Sequence, residues 1–78
     1  MKIPAIKALL EHDIDTLRKA EAAIEEGETP EIEVGGVDEG DQLTNVFGAI
    51  WIKEQIEKGT EEKEALRAFT KKVRNSIS

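Results

Sequence analysis

The sequence predicts an all-α protein, a small bundle of three to four helices with a loop or short strand inserted before the third helix. Three observations carry this. Apolar residues recur at helical spacing in four separate stretches, each followed by a glycine or a polar break. Residues 46–52 form a run without one polar side chain, inside a chain that is otherwise strongly charged. Between the second and third helical stretches lies GETPEIEVGGVDEGD, whose proline and paired glycines oppose a helix.

The first helix is short. Pro4 occupies the tolerated first turn, Ile3, Ile6, Leu9 and Leu10 supply its apolar side, and it breaks near His12. Asp13 reads as the N-cap of a second helix, whose narrow stripe is Leu17, Ala20 and Ile24, flanked by Ile14 and Ala23. Gly27 is its stop. In the insert, Ile32 and Val34 alternate with acids, so residues 31–34 suit a short strand. The chain offers no second strand, so the segment either lies over the helices as a loop or pairs with its copy in another subunit.

The third helix is expected from about Gln42 to Lys58, with Asp38, Glu39 and Asp41 at its amino end, where negative charge favours the helix dipole. Gly59 ends it. Thr60 is expected to cap the fourth helix, which carries Glu61 and Glu62 in its first turn and Lys71, Lys72 and Arg74 near its end. Its apolar stripe is Leu66, Phe69, Val73 and Ile77.

At about 100° per residue, Leu43, Val46, Phe47 and Ile50 fall on one side of the third helix, with Ala49, Ile52 and Ile56 nearly opposite. Trp51 lies between them, and Gly48 leaves a notch where another helix can approach. The third helix is therefore the hub. Either helices one, two and four wrap it completely, or a second copy of the chain completes one face. The aromatic content of the run and the prevalence of symmetric dimers favour a homodimer with Phe47, Trp51, Ile52 and Ile56 at the interface.

The chain has 78 residues, enough for a single helical domain at residues 1–78, and buries a thin core. Oligomerisation is one common remedy at this size. The absence of cysteine excludes disulfides and thiolate metal sites and suits a reducing compartment. No signal-peptide pattern or membrane-length apolar segment is present, so the expected setting is the cytoplasm. A net charge of −6 argues against nucleic acid as a partner.

Charge is segregated. From Glu21 to Asp41 there are nine acids and no base, whereas the segment after Arg67 carries only bases. On the fourth helix Lys63, Arg67, Lys71 and Arg74 share one side. This row is either a solvated face or a docking face for the acidic segment or for an acidic partner protein. Chemistry is poorly represented. His12 is the only histidine, and no Glu-x-x-His motif occurs. Asp38, Glu39 and Asp41 around Gly40 could hold a hard cation through oxygen, although their spacing does not match a calcium-binding helix–loop–helix motif. This makes a small metal- or ligand-binding protein the alternative to an interaction protein. No nucleophile stands out, and neither an enzyme nor a cofactor is expected.

Taken together, MKIPAIKALLEH, DEGDQLTNVFGAIWIKEQIEKGT and EALRAFTKKVRNSIS resemble a family of short uncharacterised proteins found in Bacteroidetes. The resemblance spans most of the chain, including the Gly59–Thr60 turn. It implies a bacterial cytosolic setting and no site residues.

Overall fold

The computed structural model describes residues 3–77, the side chains of Ile3, Ser76 and Ile77 excepted. The expected places of Ile3 and Ile77 in apolar stripes therefore lie outside the described residues. Four helices follow in order: α1 Ile3–Leu9, α2 Ile14–Glu25, α3 Glu39–Glu57 and α4 Glu62–Ile77.

Local chemistry explains most of their ends. At Asp13, extended backbone turns the carboxylate onto the Thr16 N–H at 2.8 Å, satisfying one of the free donors of the first turn of α2. Gly27, at φ +78°, stops the same helix: its N–H reaches the Ile24 carbonyl, and the Glu28 N–H reaches that of Ala23. This is the Schellman arrangement, which needs the left-handed backbone that glycine adopts without strain. The carboxyl end of α1 has no glycine, and Lys53 of α3 donates from Nζ to the Leu10 carbonyl at 3.2 Å.

Two boundaries differ from expectation. α3 begins at Glu39, three residues before Gln42, because Asp38 is its N-cap: Oδ1 accepts the Asp41 N–H at 2.8 Å, and Asp41 Oδ2 accepts the Val37 N–H at 3.2 Å. Thr60 closes α3 instead of capping α4. Its N–H reaches the Gln55 carbonyl beside Gly59 at φ +103°, and the first turn of α4 is bonded from the Ala65 N–H to the Glu61 carbonyl.

α3 is the hub. The extensive helix packing joins α1, α2 and α4 each to α3, with no comparable contact among the outer three. The apolar run is covered mostly from within. Val46, Ala49 and Ile52 are wholly buried, and Ile50 is nearly so, against Ile6 and Leu9 of α1, Leu17 and Ile24 of α2, and Ala65, Leu66 and Phe69 of α4. Removing a Leu or Ile side chain of this kind from water contributes about 1.5–3 kcal/mol.

The notch at Gly48 is filled as anticipated. A Cβ there would stand 2.7 Å from two atoms of the Phe69 ring and 3.2 Å from Ile6 Cδ1, so α4 and α1 both approach through the missing side chain.

The insert is a loop, and no strand occurs among the described residues. Ile32 and Val34 turn inward and pack on the core while Glu31 and Glu33 face outward, keeping the alternation without a partner strand. Asn45 fixes the loop to α3. It is the one buried polar side chain among the described residues, fully enclosed, and its Nδ2 donates to the Gly35 carbonyl at 2.7 Å. Beside it, Gly36 at φ +147° brings the chain so near Gln42 that a Cβ would lie 2.8 Å from the Gln42 backbone nitrogen.

Candidate aromatic groove and charged faces

The four residues expected at an interface do not stay together. Ile52 is 0% exposed within one chain, and Ile56 is packed against the core. The face expected to be completed from outside, with Trp51, Ile52 and Ile56, is thus largely closed by the chain itself. Ile52 leaves the interface set for that reason. The open side is that of Phe47, which is 48% exposed, and Trp51, at the boundary between the two faces, is half-buried beside it.

Phe47 and Trp51, one turn apart on α3, form the floor of an open groove of about 470 Å³ with Ile50 and with Phe69 of α4. The Trp51 and Phe69 rings stand 6.0 Å apart, tilted by 39°, within the range of favourable aromatic contact. Arg18, Glu21 and Glu54 form the rim. Arg18 and Glu54 pair at 3.6 Å, an exposed bridge of little stabilising value. Partial burial raises the pKa of Glu21, helped by the neighbouring charge of Glu25 and opposed by Arg18. Phe69, Ile50 and the rim were not assigned to this site from sequence. Their only sequence signal was spacing, which does not show which helices meet.

The basic row is partly gathered. Arg67, Lys71 and Arg74 line a second open groove, of about 590 Å³, along α4 with Leu66, Thr70 and Asn75. Lys63 is exposed one turn earlier and does not line it.

The acidic cluster is engaged locally. Asp38 and Asp41 hold the amino end of α3 as described, and Glu39 opens the helix. Among the described residues no three His, Asp or Glu side chains come together to hold a metal ion. His12 sits at the turn after α1, its N–H bonded to the Leu9 carbonyl at 3.1 Å, in a wide recess with Glu31 and Glu33. The metal-binding alternative gains no geometric support from this arrangement. No helix among the described residues is long and apolar enough to cross a membrane.

The fold defines a small four-helix protein with an aromatic groove formed by α2, α3 and α4. The chain belongs to a family of unknown function (DUF6952), whose model matches residues 1–78. Comparison with curated proteins and with solved structures returns no match.

Proposed function

We propose that the protein is a small acidic interaction protein that pairs with a second copy of itself through the aromatic groove, and that it acts by association without a catalytic step or cofactor. The observation that carries this is Phe47: a large aromatic side chain, half open to water, beside Trp51 on a chain in which 36% of residues are charged. Aromatic residues are enriched where proteins meet.

The rim supports a second copy as the occupant. It carries both signs, Arg18 beside Glu21 and Glu54, so a second copy meets it without a face of one charge opposing itself, as a self-complementary interface requires. A stable pair needs about 800 Å² from each partner, so the contact extends past the groove onto this rim. The resemblance to short Bacteroidetes proteins and the lack of cysteine support a bacterial cytoplasmic setting. The acidic net charge favours protein over nucleic acid or membrane as the partner.

Light scattering after size exclusion, over a hundredfold dilution at 500 mM salt, tests the pairing. The expected result is a dimer whose mass falls to that of a monomer in Phe47→Glu, with far-UV circular dichroism unchanged. A wild-type monomer at every concentration, or a Phe47→Glu dimer, would refute it.

A further inference from the structure

We propose that the cationic groove of α4 docks onto the acidic loop of a second copy, a contact separate from the aromatic groove. Arg67, Lys71 and Arg74 surround an apolar floor at Leu66, and among the described residues no carboxylate lines their groove. The loop presents the counterpart. Glu28, Glu31, Glu33 and Glu39 line an open groove of about 480 Å³ whose apolar floor includes Ile24 and Ile32, and among the described residues no base lines it.

Among the described residues, neither these three cations nor these four acids form an ion pair within the chain. Each copy thus carries both halves of a complementary contact and does not use them on itself. Complementary potentials of this kind steer association and fix its register. No described residue lines both the aromatic groove and either charged groove, so the two contacts can coexist on one copy. Because the charged contact joins unlike surfaces, it extends an assembly past a pair unless it closes on itself.

The groups are exposed, so salt decides the strength of the contact. At physiological ionic strength the screening length is about 8 Å, and at 1 M about 3 Å. The weight-average mass of the full chain is measured by sedimentation at 20 mM and at 500 mM salt. We expect mass at low salt to rise with concentration above the high-salt value, with association weaker by on the order of tenfold or more at high salt.

Charge reversal identifies the surfaces. Arg67→Glu with Lys71→Glu removes the low-salt rise, as does Glu31→Lys with Glu33→Lys. Mixing these two double variants restores it, because the unaltered acidic loop of the first then meets the unaltered cationic groove of the second. Each pair of reversals moves the net charge by four units from −6, leaving both variants net negative, so overall attraction cannot produce the rescue. All four side chains are exposed, and unchanged helicity checks the fold.

A mass independent of salt, single double variants that assemble like wild type, or a mixture that fails to associate would each overturn the proposal. Repeating the series in Phe47→Glu separates it from the aromatic pairing: that change sets the high-salt mass and leaves the salt-dependent rise in place.

Discussion

Gly48→Ala tests how the bundle is packed. In an exposed helix the change would raise stability by about 1 kcal/mol, because alanine restricts the unfolded chain and favours the helix. Here the new methyl would meet Phe69 Cε2 and Cζ at 2.7 Å and Ile6 Cδ1 at 3.2 Å, both below ordinary van der Waals separation. Phe69 cannot swing freely, since it is almost fully buried and its ring lies against Trp51. Overpacking of this kind costs about 1–3 kcal/mol. The balance is a net loss of about 1 kcal/mol, or roughly 4–8 °C in Tm for a chain of this size. Urea unfolding followed by circular dichroism and by Trp51 fluorescence reads both the loss and the shift of Phe69. The same change in a Phe69→Leu background isolates the clash: the penalty should vanish there, giving a coupling of about 1 kcal/mol or more. A Gly48→Ala protein that gains about 1 kcal/mol, or a penalty unaltered by Phe69→Leu, would show that α4 does not seat its ring in the notch.

Asn45→Ala should lower stability by about 1–3 kcal/mol in thermal unfolding, since it removes a buried donor and unfastens the loop at Gly35. Proteolytic cleavage within residues 28–38 should accelerate with it, and unchanged rates would argue that the loop is held by Ile32 and Val34 alone. Asp13 governs a pH effect. Hydrogen bonding from the Thr16 side chain, then from its backbone N–H, holds the carboxyl below the usual range. Its contribution is therefore fully present above the unfolded value of about 3.9 and is lost as pH falls through the lower folded value. Asp13→Asn keeps a good cap without this titration, so it should flatten that part of the acid limb of stability against pH; an identical limb would rule the assignment out.

Helix periodicity carried much of the architecture. The stripe of α2, the stop at Gly27 and the notch at Gly48 were legible because each depends on neighbours in the chain or on the lack of a side chain. The open face of α3 was not. Spacing gives the angle between Phe47 and Ile52 but not which outer helix lies at each, so Ile52 was placed at a surface that the bundle closes. Asn45 was illegible for a related reason. A polar residue beside an apolar run reads as helix surface, and its burial arises from a loop that crosses ten residues upstream. Asp38 and Asp41 read as helix-dipole and turn residues, with cation binding as the alternative; the sequence did not show that their carboxylates accept the Asp41 and Val37 backbone N–H groups and so cap the helix.

The radial plan of the bundle links stability to occupancy. α2 and α4 meet α3 but share no extensive contact, yet Arg18 and Glu21 of α2 and Phe69 of α4 border the same groove. Whatever fills that groove spans the two outer helices and supplies the cross-brace between them. Binding there would raise the free energy needed to release α4, and conditions that loosen α4 would weaken binding by the same amount, because both belong to one thermodynamic cycle.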